Sequence, residues 1–434
     1  MRKFFLKYGS THLEASLPEK NIIQVIEGKE YSAITDISSG VNHALDHPID
    51  SLPIKQLVKK GETVAIVVSD ITRAWIKYPQ FLPNIINYLN YSGVTDNDIL
   101  LVMALGAHRK HTPEELETLL TKNLADRIRV IDHDCHDKDQ LSYMGETSFG
   151  TKVYLNKHVV EADKVILTGG VVYHFMAGYG GGRKSILPGI AGYSTIQQNH
   201  LLLLYPQGSA QCLNTKDCAS GKTRGNPMHE DQMEIAAMLN PDFIFNVVMN
   251  PQGQFAGFFA GNYVTAWEKA CQLVDRIYGI PIEKQADLVI ATCGGFPKDL
   301  NLYQTSKTMD NASQAVKPGG VIILLSECKD IKEPHDFAQW FDLTDIKAME
   351  KELRRNFTIP GYAAVFEVQQ ALAITYIMVT LAENADLVRK VGMIPVTSME
   401  EAFEIAYKKC PPNPGVIVMP QGSTTLPRLN NGGA

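Results

Sequence analysis

Cysteine is scarce in this chain: seven residues in 434, at 135, 212, 218, 271, 293, 328 and 410, with no CxxC pair among them. An odd, scattered set excludes a disulfide framework and points to a reducing interior. No uninterrupted apolar run approaches the roughly 20 residues that span a bilayer. The opening Met1-Arg2-Lys3-Phe4-Phe5-Leu6-Lys7-Tyr8 lacks the apolar stretch and small-residue cleavage site of a signal peptide. There is no long Lys/Arg run, and 41 basic against 47 acidic residues give a net charge of −6, which argues against nucleic acid as a partner. Internal repeats and low-complexity segments are also missing. What remains is the composition of an ordinary globular enzyme, 45% hydrophobic and 20% charged, expected in the cytoplasm with neither membrane nor nucleic acid as a partner.

At this length one core does not suffice, so two or three domains are expected. Buried-strand runs alternate with helical patterns, the mark of an α/β protein. The first half reads as strands at 64–68, 99–105, 129–131 and 164–168, with helices near 81–89 and after Thr112-Pro113-Glu114-Glu115, where Thr112 caps, Pro113 opens and Glu115 completes a capping box. A second α/β pattern follows: strands at 288–292, 320–325 and 415–419, and helices over 301–316 and about 366–381. The expected division is an N-terminal domain over 1–265, a connection at 266–279 and a C-terminal domain over 280–414. The segment 415–434 was open to return to the first domain, and 429–434 reads as a frayed tail. Two Rossmann-like lobes would then hold an active site in the cleft between them.

Polar residues recur just past the ends of the first-half strands: Asp70 and Arg73, His108, and His174. Open α/β sheets place their ligands there. The densest such segment runs from Gly169 through Tyr173-His174 and Gly178-Tyr179-Gly180-Gly181-Gly182 to Arg183-Lys184-Ser185, with Asn199-His200 beyond. Glycines let the backbone approach a ligand, a lysine pairs with phosphate or bonds covalently to a cofactor, and histidines serve as metal ligand or acid/base. This grouping points to a cofactor site.

Two near-motifs fail. The phosphate loop GxxxxGK[ST] needs Gly before Lys, where Arg183 stands; Ser220-Gly221-Lys222-Thr223 has the tail of the motif, but Lys216 occupies the place of its first Gly. His133-Asp134-Cys135-His136-Asp137 lacks a second pair of metal ligands and reads as a solvated segment. His12, His43, His47, His158, His229 and His335 read as structural or exposed. Asp70 and Arg73 fit an exposed ion pair as well as a site, and Tyr303, Gln304 and Lys307 fit a polar helix surface as well as a contact to a small anion.

The order and spacing of Ser69-Asp70-Ile71-Thr72-Arg73, Ala104-Leu105-Gly106-Ala107-His108-Arg109, the glycine segment to Lys184, Gln197-Gln198-Asn199-His200 and Asn301-Leu302-Tyr303-Gln304-Thr305-Ser306-Lys307 resemble the nickel-dependent lactate racemase family, the 2-hydroxyacid racemases and epimerases. The resemblance implies inversion at C2 of a 2-hydroxyacid by reversible hydride transfer through a 2-ketoacid. It implies a nickel-pincer nucleotide tethered at Lys184, with His200 as the protein's nickel ligand and Asp70, Ile71, Thr72 and Arg73 against the cofactor. His108 and His174 would be the acid/base pair, and Arg73, Tyr303, Gln304 and Lys307 would hold substrate. Separate maturation proteins would supply the cofactor. The chain departs from the family at Ala74–Pro79, which is longer and carries Trp75, and at Phe366, where the family has Trp; both bear on which hydroxyacid is taken. The rivals are a phosphate- or nucleotide-handling enzyme built on the glycine loop and Lys184, and a non-catalytic hydroxyacid-binding relative.

Overall fold

A computed structural model describes residues 1–343 and 345–430. Two compact units emerge: one of residues 30–203 and 215–277, the other of residues 1–29, 204–214 and the chain from Tyr278 onward. Each is built on a six-stranded sheet.

The 30–277 unit orders its strands as Phe255–Gly261, Phe243–Met249, Lys164–Gly170, Val64–Ser69, Ile99–Ala104 and Arg129–Asp132. All neighbours are parallel except the first pair, where 255–261 returns antiparallel along 243–249. Val64 to Val68 are wholly buried, which explains their unbroken apolar run: a central parallel strand has no polar face to show. Chain order reverses between the 64–69 and 164–170 strands. The crevice beyond their carboxyl ends is therefore a topological switch point, where doubly wound sheets bind ligands. The Thr112 capping box forms as expected, with Thr112 Oγ1 accepting from the Glu115 amide.

In the second unit the strands are Ile394–Val396, Thr375–Val379, Val316–Leu325, Ala286–Thr292, Val416–Met419 and Ile22–Val25, all parallel. A hairpin of Arg2–Tyr8 and Thr11–Leu17 buries Phe4, Leu6, Ala15 and Leu17 against Leu288 and Ile290 of this sheet.

Four boundaries differ from the sequence reading. The helix expected at about 366–381 is Ile359–Ala373, and Thr375–Val379 is a strand entered directly through Ile374. The expected connection at 266–279 is mostly the helix Thr265–Tyr278, which buries Trp267, Ala270 and Val274 and belongs to the first unit up to Ile277. The segment from 415 does not return to the first unit, because Val416–Met419 pairs with Ala286–Thr292; residues 1–29 join the second unit for the same kind of reason, Ile22–Val25 pairing with Val416–Met419. Leu429 ends a strand paired with Gly279–Ile282, while 431–434 of the expected tail lie outside the described residues. Among the described residues no helix is long and apolar enough to cross a membrane.

Candidate active site

The switch point of the 30–277 unit carries the first cluster. Past the 64–69 strand the chain makes short 3-10 turns over Ile71–Ile76, kinked at Arg73. Asp70 is buried, and each of its carboxylate oxygens accepts a hydrogen bond: Thr72 Oγ1 donates to Oδ1 at 2.6 Å, and His108 Nδ1 donates to Oδ2. Arg73 Nη1 donates to Thr72 Oγ1 at 2.9 Å. Burial pushes the Asp70 carboxyl up, but the hydrogen bonds from His108 and Thr72 and the charges on His108 and Arg73 outweigh it and hold it below the usual range. Asp70 is thus an anion that orients the half-exposed imidazole of His108 through Nδ1, while Nε2 is left for a reacting proton. The exposed ion pair that the sequence allowed for Asp70 and Arg73 is replaced by a pair between buried Asp70 and half-exposed His108, with Arg73 held through Thr72.

Past the 164–170 strand, Tyr173–His174 pairs with Gly178–Tyr179. The amides of Met176 and Ala177 both point at His174 Nδ1, 3.3 Å away, and hold the ring so that Nε2 faces the site. Nε2 lies 3.0 Å from Lys184 Nζ. Burial first, then the positive charges on Arg183 and Arg73, hold the Lys184 pKa well below its ordinary value. Disfavouring the charged form makes this amine a better nucleophile than an exposed lysine.

The scaffold behind Lys184 is an unusual one. Arg183 is buried and, among the described residues, has no carboxylate partner; its guanidinium stacks 4.3 Å above Trp267 and donates to the Ala177 carbonyl at 2.6 Å. Burial lowers its pKa to about 9. Trp267 in turn donates to the Gly180 carbonyl at 2.9 Å. Gly182 has φ +55°, and a Cβ there would sit 2.6 Å from the Trp267 ring, so only glycine fits.

His200 projects from the helix Tyr193–Leu201 and is buried. Its Nδ1–H donates to the Ile196 carbonyl at 2.7 Å, which places the lone pair on Nε2. Burial, with nearby Lys184 second, holds its pKa down to about 4, so the ring is neutral. The preceding residue locks the helix: Asn199 Nδ2 donates to Asp231 Oδ2 at 2.8 Å and to the Met228 carbonyl at 3.0 Å.

The second unit carries Tyr303, Gln304 and Lys307 on the helix Leu302–Ser313, capped by Asn301. Lys307 Nζ donates to Gln304 Oε1 at 2.7 Å, so the two share a face as their spacing predicts. Tyr303 packs edge-on against Phe337. Behind this helix lies Glu367, fully buried, with Oε1 accepting from Ser306 at 2.7 Å and Oε2 without a partner. Burial drives its pKa well above the carboxylate range. A folded-state pKa above the unfolded one keeps a proton in the native protein that the unfolded chain releases, so stability falls as pH rises above about 4.5. Glu367→Gln has no proton to lose. The difference in Tm between this variant and the parent is therefore expected to move in the variant's favour between about pH 5 and about pH 8, by about 2–4 °C per kcal/mol relieved. Thermal melts across that range check it; parallel curves would show that Glu367 ionises as freely folded as unfolded.

Two family models cover the chain: the lactate racemase N-terminal domain over residues 8–211 and the lactate racemase C-terminal domain over residues 282–426. The chain belongs to the lactate racemase family. It is accordingly an isomerase. The lactate racemase of Thermoanaerobacterium thermosaccharolyticum is 30% identical over 435 residues, covering 99% of this chain and all of that protein. The lactate racemase of Lactiplantibacillus plantarum is 28% identical over 426 residues, 96% and 97% of the two chains. The apoprotein structure of the Thermoanaerobacterium enzyme superimposes with a TM-score of 0.87, covering 98% of this chain.

For this family member the rival readings lose their footing in particular residues. A phosphate loop leads into a long helix, whereas Gly182–Ser185 is a single 3-10 turn, and Lys222 is spent on Asp217 at 2.9 Å and the Lys216 carbonyl at 2.9 Å. His133 is not solvated: it is buried, takes a hydrogen bond from Asn156 at 3.1 Å and donates to the Ala191 carbonyl at 3.0 Å. His229 is stacked on Trp267. Sequence reasoning passed over His111, Asp132, Arg183 as a stacked cation, and Trp267. Only His111 left a trace, as the second histidine of His108-Arg109-Lys110-His111.

Proposed function

We propose that this protein inverts C2 of lactate or a related 2-hydroxyacid, with a nickel-pincer nucleotide carried covalently on Lys184. The observation that carries the reading is the Lys184 amine: partly buried, with its charged form disfavoured, 3.0 Å from His174 Nε2 and within electrostatic reach of His200. An amine whose protonated form is disfavoured suits covalent attachment of a cofactor. The donor set also fits. Among the described residues no group of three or more His, Cys, Asp or Glu is placed to hold a metal ion. What this chain offers nickel is the one imidazole of His200, with its lone pair fixed on Nε2, which suits a metal whose other donors arrive with an organic ligand.

The α hydrogen of a 2-hydroxyacid is weakly acidic, so inversion is easier if it leaves as hydride while a base takes the hydroxyl proton. When bound, the nickel-pincer nucleotide supplies the site that accepts and returns the hydride. The protein's residues do the rest. His108, backed by the Asp70 anion, takes or returns the hydroxyl proton of one enantiomer through Nε2, and His174 does so for the other. Arg73 holds the carboxylate while the planar 2-ketoacid exposes its second face; Tyr303, Gln304 and Lys307 are the further substrate residues that the family resemblance implies. Maturation proteins deliver the cofactor.

The direct test is to mature the protein with cofactor-synthesis enzymes and incubate it with separate D- and L-2-hydroxyacids, following chirality by chromatography. Approach to a racemic or epimeric mixture from both sides is expected for at least one acid. A panel spanning small, branched and aromatic side chains with no inversion would sink the proposal.

A further inference from the structure

The loop that carries His108 holds a second histidine in a different environment. His111 has a completely buried side chain. Its ring Nδ1 donates to Asp132 Oδ1 at 2.7 Å and its backbone amide to Asp132 Oδ2 at 2.8 Å, so both carboxylate oxygens at the end of the 129–132 strand grip one residue. The opposite ring nitrogen, Nε2, accepts the Ile71 amide at 3.0 Å. Three segments that leave adjacent strands are thereby tied at one imidazole: Asp132 after the third, His111 after the second, and Ile71 after the first. Ile71 adjoins Asp70, and Asp70 holds His108.

We propose that His111 is a positioning residue which, by joining Asp132 to the Ile71 amide, fixes the turn bearing Asp70 and through it the orientation of the His108 imidazole. The inference rests on the reading of His108 as a base. The physical argument is one of replacement. The turn over Ile71–Ile76 is six residues of kinked 3-10 backbone with no side-chain cap at its start. Such a segment has few internal bonds to resist displacement. The Ile71 amide has no carbonyl partner, and the imidazole supplies the acceptor. Losing it frees the backbone next to Asp70, and a displacement near 1 Å of a catalytic pair is worth about a hundredfold in rate.

The turn contains its own reporter. Trp75 is 36% exposed, whereas Trp267 and Trp340 are buried, and its ring lies against Gly170 at the end of the 164–170 strand. In unloaded protein, His111→Leu is expected to increase acrylamide quenching of the tryptophan emission, and the increase should vanish in a Trp75→Phe background. In matured protein, the same variant should lose about ten- to a hundredfold in kcat with KM for the hydroxyacid little changed. His111→Gln, whose amide oxygen can accept the Ile71 N–H, should recover most of both signals, and Asp132→Asn should fall between. Wild-type kcat in His111→Leu would overturn the proposal, as would unchanged quenching, or equal losses in the Gln and Leu variants. If the matured parent inverts no hydroxyacid, the functional reading fails by itself, while the quenching series still decides whether His111 holds the turn.

Discussion

Lys184→Ala is expected to leave a folded protein that carries no cofactor adduct and inverts nothing. Intact-mass spectra of parent protein co-produced with the maturation enzymes should show an added mass, and the variant should run at its bare polypeptide mass. Inversion should drop by at least about four orders of magnitude, to the level of protein never exposed to the maturation enzymes. Stability should change little, within about 1 kcal/mol, because among the described residues the side chain forms no ion pair and is only partly buried. Lys184→Arg separates nucleophile from shape: a guanidinium stays protonated and cannot bond to an acyl-type carbon, so it should be as inactive as alanine. A full-occupancy adduct in either variant would move the attachment site elsewhere and remove the reason for the depressed amine.

The cost of building that amine is visible around it. Arg183 is buried beside Lys184 with no carboxylate partner among the described residues, and its orphaned Nε adds to the desolvation penalty. Trp267 offsets part of this through its π face. A carboxylate in the same place would neutralise Arg183 and at once favour protonated Lys184, undoing the chemistry. The uncompensated cation is thus consistent with a site that disfavours the charged form of its lysine, and local rules of polar burial are broken where the function needs it.

The same distinction separates what was legible in the sequence from what was not. Val64–Ser69, Ile99–Ala104 and Ala286–Thr292 were legible because fully buried parallel strands are apolar without interruption. Residues just past them stood out for the same reason, and that is how Asp70, His108 and His174 were found. Which strands adjoin is a different matter. The switch point exists because 164–170 lies beside 64–69, a pairing across about a hundred residues that leaves no local mark. Ile22–Val25 was lost to the first domain because its partner, Val416–Met419, lies almost at the other end of the chain. The 375–379 strand was read as helix because no Gly or Pro separates it from the helix ending at Ala373. His111 was invisible because its role depends on Ile71 and Asp132, which it meets only in space.

The assignment of one base to each enantiomer predicts a mirror relation between two variants. In His108→Ala and His174→Ala, net inversion should fall about 10²–10⁴-fold while the adduct on Lys184 persists. Inversion needs both bases, one to take the hydroxyl proton and the other to return it on the opposite face. Formation of the 2-ketoacid needs only the first. Each variant should therefore still oxidise one enantiomer, whose hydroxyl faces the remaining histidine, and fail with the other. Trapping the ketoacid with a hydrazine in single-turnover experiments makes this measurable, and the competent enantiomer should switch between the two variants. Asp70→Asn should behave as a weaker His108→Ala, because it removes the anion that orients His108 but leaves the ring in place. Its defect should fall on the enantiomer that His108→Ala cannot oxidise. Trapping from the same enantiomer in both histidine variants would mean that one imidazole serves both hands of the substrate, and the other would then need a different task in the site.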